Sequence, residues 1–268
     1  MLGFRQRSLH SAGKRLRIRL LAWFSNRPPN SQRIYVVGVR GHRYKRIVFP
    51  DSHQAHRVAE NLAAFGETRI YPSLILEREN ELWVEYIEGL PLDRADAEVA
   101  EKIAALLGVL YARNPRLVPL ERLPFKHALH TDLKFLHEVG VLVEGAYRKL
   151  DGVVDRLAPR EAWVGYDCTD AILKNFLRCP DGRVRAVDVE SLCGDQLLGV
   201  GAAKACLRWL ETERERFLAV LRAEGVPDFQ AYLPFVEFCF LAFWQKSSFL
   251  EKKRRFVDAR LFDRFLEY

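Results

Sequence analysis

Residues Gly165–Leu192 read GYDCTDAILKNFLRCPDGRVRAVDVESL. Asp170 and Asn175 are five apart, and Asp188 follows thirteen residues after Asn175. A turn signal, Pro180-Asp181-Gly182, lies between them, so the stretch predicts a hairpin with Asp188 closing its second strand. An acid, an amide at i+5 and a second acid after a hairpin suit phosphoryl transfer from a metal nucleotide. One carboxylate orients and deprotonates an acceptor hydroxyl, while the amide and the other carboxylate hold a divalent metal against the phosphates. Singly, each residue reads equally well as a turn partner or a loop cap. The spacing and the Val-Asp-Val-Glu context together favour the chemical reading.

Working outward, the 268-residue chain is long enough for one large domain or two lobes. Its 49% hydrophobic and 12% aromatic content can fill a core, and nothing in it is collagen-like or repetitive. No apolar run approaches the roughly 20 residues of a membrane-spanning helix. The basic N-terminus has no clean apolar region and no small-residue cleavage site, so a signal peptide is not expected. Five cysteines, an odd count without CxxC spacing, argue against zinc and a disulfide framework and for a reducing cytoplasm.

Charge is unevenly placed. Residues 1–50 hold twelve Lys and Arg and no Asp or Glu, so they carry +12 against a whole-chain +7, leaving −5 on residues 51–268. Residues 1–30 are a basic arm in which Arg15, Arg17 and Arg19 alternate with Leu16, Ile18 and Leu20, before Trp23 and Phe24. Residues 5–24 read three ways: a helix packed on the body, a peripheral contact with an anionic membrane face, or an arm for another partner. Nucleic acid is disfavoured, because aromatic interleaving is sparse and no nucleic-acid motif accompanies the charge. Pro28-Pro29-Asn30-Ser31 marks a boundary.

Next, Ile34–Arg40 and Tyr44–Phe49 flank a turn at Gly41-His42 and predict a hairpin. Ser52–Phe65 has helical spacing with an N-cap at Asp51 or Ser52. Lys45 on the strand and Glu60 on the helix are candidates to pair and hold the α- and β-phosphates, with Arg46 the alternative to Lys45. Ser73–Glu77 and Leu82–Ile87 form a second strand pair ending in WVEYIEG, where the backbone of Glu85 and Ile87 is placed to meet adenine. Beyond Ala95 the periodicity turns helical, over Ala95–Tyr111, Thr131–Leu157, Gly201–Glu224, Phe229–Phe249 and Lys252–Tyr268. The aromatic set Trp209, Phe217, Phe235, Phe238, Phe240, Phe243 and Trp244 reads as helical core. The fold class expected is therefore α+β in two lobes, a β-rich one over residues 31–90 and a larger helical one over 91–268.

On these motifs the chain resembles the protein-kinase-like phosphotransferases, in particular the aminoglycoside and choline kinase branch and the bacterial lipopolysaccharide-sugar kinases. The likeness spans residues 33–250 as a pattern of elements. It implies a protein-kinase-like fold and an enzyme dependent on ATP and magnesium. Asp170 would be the catalytic acid, Asn175 and Asp188 the metal ligands and Lys45 the phosphate-neutralising lysine, with VEYIEG resembling the hinge. Glu190 would support the metal ligands or add a contact. The implied acceptor is a small molecule or a glycolipid; the cytoplasmic setting follows from the cysteine usage, and contact at the inner membrane face is one of the three readings of residues 5–24. The chain departs from the pattern at three places. Cys168 stands where the family has histidine two residues before the acid; with no histidine near it in sequence, it reads as a small core residue. Ile172 stands where the branch has a second histidine, and neighbouring Lys174 reads as a phosphate contact or a solvated lysine. No full glycine-rich phosphate loop is visible, and Gly38 and Gly41 are the candidates to serve in its place. Two other readings stay open: a pseudokinase that binds nucleotide or a partner without catalysis, and a Ser/Thr protein kinase, which the absence of an APE-like segment opposes. A polycationic acceptor fits a +7 chain poorly, so an anionic or membrane-held acceptor such as a lipopolysaccharide core sugar is preferred.

Overall fold

The computed structural model describes residues 33–210, 212–222, 225–251 and 257–268. The arm over residues 1–30, including the membrane contact considered for residues 5–24, lies outside them. Two compact units are present. One holds the chain up to Leu92 together with Lys174–Leu192, and the other holds Asp93–Leu173 and Cys193–Tyr268. The hairpin after Asn175 thus groups with the first unit.

In the first unit, β1 (Arg33–Val39), β2 (His42–Val48), β3 (Leu74–Arg78) and β4 (Glu81–Glu85) form an antiparallel sheet in the order β1-β2-β4-β3. The β1–β2 turn is Arg40-Gly41, one residue earlier than the sequence reading. Both residues have positive φ, 48° and 84°, the geometry of the tight turn whose twist matches paired strands. Lys45 and Ile47 share the face that carries Leu82 and Val84, whose cross-strand partners they are. Ile47, Leu82 and Val84 are fully buried there. Arg46 alternates to the opposite face, with Tyr35 and Trp83.

Helix α1 (Ser52–Ala63) begins where the Asp51 side chain accepts from the Gln54 N–H at 2.8 Å. It buries Ala55, Val58, Ala59 and Leu62 along one stripe. A second small sheet joins β5 (Leu90–Pro91), β8 (Phe176–Arg178) and β9 (Val184–Ala186). It is tied to β4 by Arg185, whose guanidinium reaches both Glu85 oxygens, at 2.8 and 2.7 Å, and the Tyr71 carbonyl at 2.8 Å.

The second unit contains α2 (Ala97–Tyr111), α3 (Phe125–Glu138), α4 (Glu144–Leu157), α5 (Val200–Arg208), α6 (Arg214–Val220) and α7 (Leu233–Leu250). It also holds a three-stranded sheet in the order β10-β7-β6, from β6 (Arg116–Pro119), β7 (Glu161–Cys168) and β10 (Leu192–Leu197). Thr131–Leu157 is not one helix, because Gly140 at φ +76° ends α3 and lets α4 restart at Glu144. The expected Gly201–Glu224 helix is likewise split into α5 and α6. In the expected Lys252–Tyr268 helix, the described part forms a 3-10 helix over Ala259–Phe265. The aromatic reading is corrected at α7. Phe235 and Phe238 are buried, but Phe243 is 61% exposed and Phe240 and Trp244 are half-buried, because the apolar pattern of α7 runs on over its exposed strip, where Leu250 also lies.

Candidate active site

In the first unit the β8–β9 hairpin does what its spacing promised. Phe176 pairs with Ala186, and the Val187 N–H donates to the Asn175 carbonyl at 2.9 Å, extending the ladder by one rung. Residues thirteen apart in sequence therefore stand side by side. The Asn175 amide donates to Asp188 Oδ2 at 3.3 Å. Asp188 leads into the 3-10 turn Val189–Ser191, and its carbonyl accepts from the Ser191 N–H at 3.2 Å and the Ser191 hydroxyl at 2.6 Å. That turn fixes the backbone that carries the Asp188 side chain.

Lys45 reaches the same place. Its ammonium donates to the Val187 carbonyl at 2.9 Å. Burial draws its pKa below the ordinary lysine value, while the Asp188 and Glu190 carboxylates pull it back up. Arg46 is held elsewhere, by Glu81 at 2.9 Å, so it is Lys45 that faces the carboxylates. The expected pairing of Lys45 with Glu60 does not form. Ala59 and Leu62 are the inward positions of α1, so Glu60 turns to solvent and meets His56 at 3.4 Å. It is the next residue, Asn61, that reaches inward, donating to the Leu192 carbonyl at 2.9 Å.

Glu85 is committed to structure. Its carboxylate takes Arg185 and the Ser73 N–H, at 3.2 Å, and its own N–H donates to the Ser73 carbonyl at 2.9 Å. Arg185 therefore holds its carboxyl below the usual range. The expected backbone contact from Glu85 to adenine loses its donor. Ile87 is different: no backbone hydrogen bond of Ile87 occurs among the described residues. Gly41 is accounted for by its turn, and a Cβ at Gly38 would meet nothing within 4 Å.

In the second unit, Asp170 follows β7 and is about one-third exposed, at 36%. Its carboxylate is held in an ion pair by Lys204 of α5. The Trp209 ring N–H donates to the Ala171 carbonyl at 2.8 Å, fixing the chain just after Asp170. The chain just before it is anchored by a residue that the sequence reading missed. Asp167, fully buried, accepts from the Tyr111 hydroxyl at 3.0 Å, the Gly199 N–H at 3.1 Å and the Gly201 N–H at 3.1 Å. Burial lifts its pKa to about 6 against the pull of these donors. Gly201 is required by this closeness, since a Cβ there would sit 2.5 Å from the Cys168 carbonyl oxygen and 2.6 Å from an Asp167 oxygen. Cys168 itself is fully buried. Lys174 is exposed. Lys204 had only a weak sequence signal, a lone lysine among alanines in GAAKAC.

Solved structures share this fold. The choline kinase LicA from Streptococcus pneumoniae aligns with a TM-score of 0.58 at 16% identity, covering 96% of this chain and 98% of that one. The same protein in complex with AMP aligns at 0.56 and 15%, with 96% and 98% covered. A macrolide 2'-phosphotransferase type I aligns at 0.59 and 14%, with 94% and 96% covered. An aminoglycoside phosphotransferase from Alicyclobacillus acidocaldarius aligns at 0.55 and 12%, with 90% and 92% covered. No protein-family model matches the sequence, and no curated protein matches it. The fold is that of the protein-kinase-like phosphotransferases. The solved structures that share it are named as a choline kinase, a macrolide phosphotransferase and an aminoglycoside phosphotransferase.

Proposed function

We propose that the protein transfers the γ-phosphoryl of ATP to a hydroxyl of a small-molecule acceptor, with magnesium. The observation that carries this is the Asn175–Asp188 pair, set by the hairpin register beside the half-buried Lys45 ammonium. An AMP complex among the neighbouring structures supports a nucleotide ligand. Magnesium takes oxygen ligands and shares itself between one or two side chains and phosphate oxygens. An amide and a carboxylate fit that habit. No group of three or more His, Cys, Asp or Glu suited to a metal occurs among the described residues, so the pair would hold magnesium together with the nucleotide. When bound, the ion offsets charge gathering on the phosphates.

The chain's own residues do the rest. Lys45 presents its ammonium to the α- and β-phosphates. Asp170 accepts the hydroxyl proton as the acceptor oxygen bonds to the γ-phosphorus and the bridging oxygen leaves with ADP. Catalysis is then mostly positioning and charge stabilisation. A small acceptor is favoured over a protein one, since only Leu198 and Gly199 separate β10 from α5, leaving little chain for a peptide platform. We take the acceptor to be a sugar, with a lipopolysaccharide core sugar or lipid-linked glycan as its specific form, since the +12 of residues 1–50 would draw the enzyme to an anionic, membrane-held acceptor. Residues 5–24 would then bring the enzyme to an anionic membrane face from the cytoplasm.

A second reading is a pseudokinase, favoured by the Lys204 ion pair on Asp170 and by Cys168 in the histidine position. The test for nucleotide is a thermal-shift titration with ATP, with and without magnesium, on wild type and Asp188→Asn. A ligand at 100 times its Kd stabilises the folded state by about 2.7 kcal/mol. A magnesium-dependent rise abolished by Asp188→Asn is expected, and no rise at millimolar ATP refutes the proposal. Slow ATP hydrolysis lost in Asp170→Ala, with the shift retained, separates the enzyme from the pseudokinase.

A further inference from the structure

Helices α5 and α7 pack together, and a ladder of cations and rings runs along their junction. Lys204 and Arg208 are one turn apart on α5, and Phe240 and Trp244 one turn apart on α7. The two rings stack, with centroids 6.3 Å apart and planes 14° from parallel. The Lys204 ammonium stands 5.6 Å from the Phe240 centroid, and the Arg208 guanidinium 4.3 Å from the Trp244 centroid. The first rung touches the Asp170 carboxylate through Lys204. All of these groups belong to the second unit.

We propose that Lys204, Arg208, Phe240 and Trp244 form the acceptor subsite beside Asp170, and that it takes a sugar or related polyol carrying a carboxylate or phosphate. The inference rests on the phosphotransferase reading and names the substrate class of that site. Its basis is the chemistry of the ladder. A site for a quaternary ammonium offers bare aromatic faces to the ligand's charge. Here the rings already carry the protein's own cations, and beyond the Lys204–Asp170 pair a cationic acceptor meets the like charge of Arg208. Arg208 is exposed and has no carboxylate partner among the described residues. A guanidinium lying on a ring still presents its fork of N–H donors, which matches a carboxylate or phosphate two oxygens at a time. The half-exposed rings, continued by Phe243, provide an apolar surface for the C–H face of a sugar. Asp170 at one end of the ladder and Arg208 at the other separate the reacting hydroxyl from the anionic group. The Trp209 bond to Ala171 holds the chain beside Asp170 to the end of the helix that carries both cations.

The test is a ligand-observed NMR titration of the full chain. The probes are glucuronate, glucose 6-phosphate, methyl glucoside, glucosamine and choline. Glucuronate and glucose 6-phosphate are expected to bind most tightly. Arg208→Gln is expected to weaken both by about tenfold, the worth of one charge-assisted contact pair. Trp244→Ala should weaken all sugars, with Trp244→Phe restoring part of the loss if the alanine variant is poorly folded. Arg148→Gln, an equal loss of charge at an exposed position of α4, should change nothing. Tighter binding of glucosamine or choline, anionic binding indifferent to Arg208→Gln, or no binding by any probe would overturn the inference. The two proposals fail separately. Arg208-dependent sugar binding without a magnesium-dependent ATP shift refutes the phosphotransferase reading, whereas a normal ATP shift with Arg208-indifferent binding refutes this subsite alone.

Discussion

Asp167 ties three elements together, accepting hydrogen bonds from Tyr111 on α2 and from Gly199 and Gly201 at the start of α5. Its carboxyl has a pKa of about 6 against an ordinary 3.8, because burial opposes the charged form more strongly than the donors favour it. The sign of the consequence follows directly. An acid whose folded value is raised holds its proton in the native state while the unfolded chain has lost it, so its contribution to stability is full below the unfolded value and is lost as pH rises through the folded one. At 1.36 kcal/mol per unit the full span is about 3 kcal/mol, of which about 2 kcal/mol is lost between about pH 4.5 and pH 7. Asp167→Asn has no proton to lose and should be free of this slope. Its amide oxygen can keep the glycine N–H groups while its NH2 turns to the Tyr111 hydroxyl, which accepts. Urea unfolding of both proteins from about pH 4.5 to pH 8 measures the difference. Wild type should lose about 2 kcal/mol relative to Asp167→Asn across that range. Parallel curves would remove Asp167 from the pH dependence, and a wild type that gains on the variant as pH rises would mean that the donors outweigh burial.

Other perturbations test the remaining links. Glu85→Gln leaves the Arg185 guanidinium, 8% exposed, without its carboxylate, and should cost about 3 kcal/mol in denaturant unfolding; a cost below about 0.5 kcal/mol would refute the ion pair as a structural tie. Gly201→Ala forces a Cβ against the Cys168 carbonyl and Asp167, so it should destabilise by about 2 kcal/mol and slow ATP turnover, and an unchanged midpoint would contradict the close packing of α5 on β7. Lys45→Met should weaken ATP binding by about tenfold in the thermal-shift titration, whereas Arg46→Met should not, and equal losses would argue against the strand register. Glu60→Gln should leave ATP binding unchanged, since Glu60 faces His56 and solvent.

The part of this protein legible in its sequence is the part encoded by local spacing. A hairpin of known turn fixes which residues stand opposite each other, so Asn175 and Asp188 could be paired from their separation alone. Strand alternation likewise separated Lys45 from Arg46 once a register existed, but that register depends on β4, which lies far along the chain. Helix periodicity marked α1 and α2, while the break at Gly140 was hidden because apolar spacing continues across it. The strand β7, EAWVGYDC, was missed because the pairing partners that make it a strand come from β6 and β10, on either side in sequence. Contacts made by single side chains across long separations were illegible for the same reason. Glu60 was turned out of the site by the packing of its helix neighbours, and Asp167 and Lys204 acquired their roles only when α5 was laid against the end of β7. Residue type and spacing decide what a short segment can do; which distant group shares its space, and so sets its charge and orientation, is decided by burial of surfaces that no local pattern records.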